Sequence, residues 1–237
     1  MLHAMLRAAA AAGGFDPLSI AWRNAFWTEG ESFIALGLPD GASVATWPDE
    51  VGTDDVSQGT ASLQPEYHAS LAGLNGRPGI TGDTVDDYLR ASSSPDFNGP
   101  NTIVMVGYVP DVANEYRPVT LSDNEVNVGP ILSSGPTNWR VYGGDWLEDG
   151  TTDTNGHIII ATVDGASSEI MVDGTATSGS AGTTNNDAAG ITLFANRTLA
   201  NNGGTMAFVG IKSGTLTAQE KSDLTAWAAD TYGLTIT

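Results

Sequence analysis

The sequence predicts an all-β fold, a sandwich of antiparallel strands with one amphipathic helix near its C-terminal end. Three observations lead there. With 29 glycines and 11 prolines among 237 residues, turns are too frequent for a helical bundle. Short apolar and β-branched runs recur along the chain, separated by turn residues. A single segment, close to the C-terminus, carries helix punctuation at both ends.

The elements follow in order. Leu2, Met5, Leu6 and Ala9 fall at i, i+3, i+4 and i+7, one face of a short helix that Gly13-Gly14 would end. A helix this short is marginal alone in water, so it needs a surface, on its own domain or on a partner. Residues 1–14 are therefore expected to form a helical docking segment ahead of one domain spanning residues 15–237. A basic start is missing and Arg7 interrupts the apolar stretch, which argues against a signal peptide.

Residues 18–27 and 32–36 are apolar-rich and read as strands either side of a turn at Gly30. Residues 42–47 alternate, and residues 102–109 (TIVMVGYV) form a nearly continuous run that fits a strand buried on both faces. Residues 139–142 (WRVY) alternate cleanly. Residues 157–163 and 169–172 flank a turn at 164–168 and read as a hairpin. Residues 174–190 are small and polar, a surface loop, and strands at 191–195 and 206–211 complete the set. The helix follows: Thr217 and Glu220 make a capping box, Leu224, Trp227, Ala228 and Tyr232 form an apolar stripe, and Gly233 is the C-cap. Such a helix should lie across a sheet.

Charge restricts the partners. Nine Lys and Arg stand against 28 Asp and Glu, a net charge of −19, which repels nucleic-acid phosphates and anionic headgroups. No cysteine is present, so disulfides, thiol catalysis and cysteine-bound zinc are excluded. No apolar run reaches the roughly 18–20 residues of a membrane-spanning helix.

The order and spacing of several short motifs are similar to the concanavalin A-like lectin/glucanase superfamily, in its laminin-G-like branch of bacterial and phage proteins. The motifs are Val44-Ala45-Thr46-Trp47-Pro48-Asp49, Pro65-Glu66-Tyr67, Leu74-Asn75-Gly76-Arg77-Pro78 and Asp86-Asp87-Tyr88-Leu89. The 157–174 hairpin, Ile191-Thr192-Leu193-Phe194-Ala195, Val209-Gly210-Ile211 and the capped helix ending Tyr232-Gly233-Leu234 complete them. The resemblance covers about residues 18–234 and implies a jelly-roll sandwich of two antiparallel sheets. Gly79-Ile80-Thr81-Gly82 departs from the usual apolar strand, and an irregular edge is expected there.

The chemistry-bearing residues are sparse. Glycosidases of this superfamily place paired carboxylates at alternating positions on one strand. No such alternation lies in an apolar strand here: Asp123-Asn124-Glu125 reads as a turn, and residues 145–149 read as a loop. His3, His68 and His157 are scattered, and no Gly-x-Ser-x-Gly elbow stands between a strand and a helix. No catalytic residue is expected, and no enzymatic function.

Two binding sites remain. The resemblance implies calcium at a loop rim, where Asp83, Asp86 and Asp87 offer hard oxygen ligands; the alternative is that these acidic residues simply solvate a loop. No other cofactor is required. Trp139, Tyr142 and Trp146, with Asp145, are candidates for stacking on and bonding to sugar rings; the alternative is core or interface packing. Three positions apart on a strand, Trp139 and Tyr142 must face opposite ways, so only one can share a surface with Trp146.

Sequence alone thus favours a non-enzymatic bacteriophage virion component, capsid-decorating or minor tail, contacting other virion proteins, its own copies as a homo-oligomer, or host glycans. The alternative is a carbohydrate-binding module or adhesin, extracellular or at the cell surface.

Overall fold

The computed structural model describes residues 14–91, 99–122, 130–184, 190–196, 199 and 203–237. The expected docking segment with Leu2, Met5, Leu6 and Ala9 lies outside the described residues.

The expected sandwich is present. Its strands are β1 (Asn24–Trp27), β2 (Ala42–Ser43), β3 (Thr46–Trp47), β4 (Val56–Ser57), β5 (Glu66–Leu71), β6 (Arg77–Gly82), β7 (Leu89–Ala91) and β8 (Asn101–Tyr108). There follow β9 (Tyr116–Thr120), β10 (Ile131–Ser134), β11 (Trp139–Tyr142), β12 (Trp146–Asp149) and β13 (His157–Val163). The set ends with β14 (Ser168–Val172), β15 (Thr175–Gly179), β16 (Ile191–Leu193) and β17 (Gly204–Ser213). Among the described residues two α-helices accompany them, α1 (Glu31–Ile34) and α2 (Ala218–Tyr232).

A nine-stranded sheet runs β15-β14-β13-β8-β17-β6-β5-β2, with β1 also on β17; an eight-stranded sheet runs β12-β11-β10-β9-β16-β7-β4-β3. Every pairing is antiparallel. Between the sheets lies a core that includes Phe26, Trp47, Ile103, Met105, Trp139, Val141 and Phe194.

A second apolar cluster covers the outer face of the nine-stranded sheet. Val104, Val106, Ile158, Ile160 and Phe208 meet Trp22, Trp27 and the stripe Leu224, Trp227, Ala228 and Tyr232 of α2. This explains why β8 reads as a nearly continuous apolar run: like β13, it has a core on both sides. Thr217 Oγ1 accepts the Glu220 amide at 3.1 Å, and Glu220 Oε2 accepts the Thr217 amide at 2.6 Å, so the capping box forms as read. Trp27 Nε1 donates to Tyr232 Oη at 2.9 Å, anchoring the end of α2 to β1.

Several boundaries differ from the sequence reading. Residues 32–34 belong to helix α1, because the Glu50 carboxylate accepts the Ser32 and Phe33 amides at 3.1 and 3.0 Å and caps it from a distance. Residues 42–47 form two short strands in different sheets, the chain crossing between them. Residues 146–149, read as loop, are β12, and residues 175–179, also read as loop, are β15. The segment expected to be an irregular edge is β6, in the interior of its sheet between β17 and β5. Its glycines sit in close packing: a Cβ at Gly79 would meet Leu71 Cδ1 at 2.6 Å, and one at Gly82 would meet Phe194 Cδ1 at 3.2 Å, so a side chain at either would displace a neighbour.

Candidate carbohydrate-binding face and acidic triad

The eight-stranded sheet has the less apolar outer face, and its side chains follow from register. In β11, Trp139 and Val141 point into the core, so Arg140 and Tyr142 point out. In β12, Trp146 stands opposite Tyr142 and Glu148 opposite Arg140. Trp139 is fully buried and is removed from the candidate surface. The opposite-face argument from its spacing correctly separates it from Tyr142.

Tyr142 and Trp146 form a half-buried cross-strand pair, ring centroids 4.9 Å apart and planes tilted by 50°. Arg140 lies over the indole, with Cζ 4.2 Å from the Trp146 centroid. Its guanidinium is fixed in turn by Glu115, Nη2 to Oε2 at 2.5 Å, while Arg117 Nη2 holds the other oxygen at 2.8 Å. Burial would raise the Glu115 pKa, but the hydrogen bonds and charges of the two arginines outweigh it and hold the carboxyl below its ordinary value. Asp145 is exposed, and its Oδ1 accepts the Trp146 amide at 2.9 Å, fixing the start of β12. Arg140 and Glu115 were not singled out from sequence; the one legible sign was the outward parity of Arg140 within WRVY.

Register extends this row across the sheet: Trp146, Tyr142, Ile131, Thr120, Thr192, Arg90 and Ser57 are successive cross-strand neighbours. Ile131, Thr120 and Thr192 are buried. Thr120 Oγ1 donates to Ala195 O, and Thr192 Oγ1 donates to Ser122 O while accepting Arg90 Nε. The accessible aromatic part of the row is therefore its Tyr142–Trp146 end.

Asp83, Asp86 and Asp87 each place one carboxylate oxygen within 4.8 Å of the others. Oxygens bound to calcium at 2.3–2.6 Å stand at most about 5 Å apart, so the spacing suits a hard cation. The loop is built by Asp83 Oδ1, which accepts the Val85 and Asp86 amides at 2.8 and 3.1 Å, and by Asp87 Oδ2, which accepts the Asp83 amide at 2.8 Å. Burial, and then the neighbouring carboxylates Asp83, Asp86 and Glu66, push the Asp87 pKa up to about 6 despite the Asp83 amide. A bound cation would relieve that cost.

No protein-family model matches this chain, and no curated protein matches it in sequence. Solved structures do match in fold. A Trypanosoma rangeli sialidase in complex with sialic acid superposes with a TM-score of 0.58 at 14% identity, covering 87% of this chain and 32% of the sialidase. The same enzyme with the inhibitor DANA gives 0.60 at 12% identity, over 90% of this chain and 34% of that one. An arabinofuranosidase complexed with arabinofuranosyl-α-1,2-xylobiose gives 0.61 at 10% identity, over 80% and 51%. At these identities the likeness is one of fold, and the chain spans only a third to a half of those proteins. A concanavalin A-like sandwich agrees with this; the laminin-G-like and phage assignments gain no support from it.

Two expectations are corrected by these neighbours. The chain was expected to be a bacteriophage virion component and to have no enzymatic function, whereas the solved structures named above, which match it in fold, are a sialidase and an arabinofuranosidase, two of them holding a sugar ligand. Missing carboxylate alternation in one strand was too narrow a criterion, since it addresses a single arrangement of catalytic groups. Among the described residues, no helix is long and apolar enough to cross a membrane.

Proposed function

We propose that this chain is the carbohydrate-binding sandwich of a glycoside-processing protein, holding a glycan against the Tyr142–Trp146 end of the eight-stranded sheet. The observation that carries the reading is the half-buried Tyr142–Trp146 pair, tilted by 50° and backed by Arg140. Aromatic faces supply the apolar contact a sugar ring seeks, while Arg140, Glu148 and Asp145 stand beside them to meet its hydroxyls. The glycosidase neighbours support carbohydrate as the ligand class. Calcium at Asp83, Asp86 and Asp87, with its all-oxygen donor set, is the accessory part of the proposal; it would stiffen the loop before β7. Association with further copies of the chain belongs to the same proposal, since the edge strands β12 and β3 leave backbone groups open to pairing.

A glycan array with the folded chain tests this. Binding to a defined glycan set, lost in Trp146→Ala with the fold intact, supports it; a flat array with folded protein counts against it. Glycans that bind are then followed for cleavage, which would extend the role from holding to processing.

A further inference from the structure

Beyond the Trp139 end of β11 lies a second polar feature, which the glycan face does not use. His157 opens β13 with its side chain 8% exposed, its ring T-shaped against Trp139 at a centroid distance of 5.9 Å. Both ring nitrogens meet carboxylates: Nδ1 lies 2.6 Å from Asp173 Oδ2 and Nε2 lies 3.0 Å from Asp153 Oδ1. A neutral imidazole has one N–H and can donate to only one of them. Two such contacts together require the doubly protonated ring.

The two carboxylates belong to different elements. Asp173 sits at positive φ in the Asp173-Gly174 turn joining β14 and β15, where its Oδ1 also accepts the Ile158 amide at 3.0 Å and its carbonyl accepts the Thr237 amide at 2.9 Å. Asp153 lies in the segment leading into β13, is nearly half exposed, and accepts the Asn155 amide at 2.6 Å. Between that segment, Asn75, and residues 233–237 opens a cleft of about 530 Å³ that His157, Asp153 and Asp173 all line.

We propose that His157, Asp153 and Asp173 form a proton-operated latch on this cleft, which pins residues 153–157 to the β14–β15 turn and, through it, to the C-terminal tail. With the ring charged, both carboxylates are held. When the ring loses one proton, the Nδ1–H stays on Asp173, whose bond is shorter and whose carboxylate the Ile158 amide fixes. The Nε2 lone pair then faces Asp153 Oδ1, and the half-exposed carboxylate turns to water. The cleft wall loosens on that side only.

The charges acting on the ring are these two carboxylates. β8 presents Gly107 opposite it and β11 presents Trp139; the Tyr232 phenol at the end of α2, its pKa raised by burial, stays neutral. Burial works against the charged ring, but Asp173 and then Asp153 outweigh it, and the His157 pKa is raised. The sign follows: the latch is fully closed below the ordinary histidine value of 6.5 and is released as pH rises through the raised value.

The test is a histidine-ring NMR titration of the full chain, with amide hydrogen-exchange protection factors for residues 153–158 measured across the same range. His157 is expected to titrate above 6.5, and protection at 153–156 to fall about tenfold as its ring loses the proton, the weight of one charge-assisted hydrogen bond, while the Ile158 amide, held by Asp173 in both states, keeps its protection. Asp153→Asn is expected to lower the titration midpoint and make protection independent of pH. A second variant, His157→Gln, keeps one donor without a titrating group and is expected to remove the pH dependence as well. A ring that titrates at or below 6.5, or protection that ignores the ring's titration, overturns the proposal.

Discussion

Replacing Glu115 by Gln isolates the support beneath Trp146. Glu115 accepts from Arg117 Nη2 at 2.8 Å, Arg117 Nε at 2.9 Å and Arg140 Nη2 at 2.5 Å, with side chains only 15–27% exposed. Charge-assisted hydrogen bonds are worth about 1.5–3 kcal/mol when buried, and exposed ion pairs about 0–1 kcal/mol. At this intermediate exposure each arginine contributes about 1 kcal/mol, and the neutral amide also leaves two guanidinium groups facing one another. A loss of about 2 kcal/mol at pH 7 is therefore expected, read as a lower urea midpoint at unchanged slope. The pH dependence gives an independent check. Because the folded pKa of Glu115 lies below its ordinary 4.5, its contribution is present above pH 4.5 and is lost as pH falls through the lowered value. The gap between wild type and variant must narrow over that interval, and the fluorescence of Trp146 must change as Arg140 loosens over it. A stability difference under about 0.5 kcal/mol at pH 7, or a gap that ignores pH, would mean that Glu115 does not hold the two arginines in this way.

Other perturbations are equally direct. Thr217→Ala removes one half of the capping box and should cost about 1 kcal/mol in a denaturant titration. Trp47→Ala empties a fully buried site between Phe26, Phe33 and Phe194 and should cost about 3–5 kcal/mol. Millimolar calcium should raise the melting temperature, and Asp83→Asn should abolish the rise. That rise should also shrink as pH falls through about 6, where a proton competes for Asp87.

Elements whose cause is local were legible in the sequence. The helix α2 carries its own cap, stripe and stop, and β8 carries a run that only a doubly covered strand would need. Elements decided by distant partners were not. Residues 32–34 are helical because Glu50 caps them from 18 residues away, a fact no window around Ser32 contains. Strand β15 (TATSG) lies at a sheet edge with its side chains mostly in solvent, so no apolar period marks it. In the candidate site, the parity of WRVY correctly separated Trp139 from Tyr142. The Arg140–Glu115 support was hidden, because it joins β11 to a residue 25 positions earlier. The same holds for His157, whose partner Asp173 is brought back by a hairpin that was itself anticipated.

The most direct test of the glycan-binding face is to follow the six tryptophan indole N–H resonances while titrating the strongest array ligand. Trp146 is expected to shift most, with Tyr142 ring signals moving beside it, while the buried indoles of Trp47 and Trp139 stay in place. A saturable titration that leaves Trp146 unmoved, with its largest shifts on the nine-stranded sheet or in the His157 cleft, would contradict a glycan-binding role for this face.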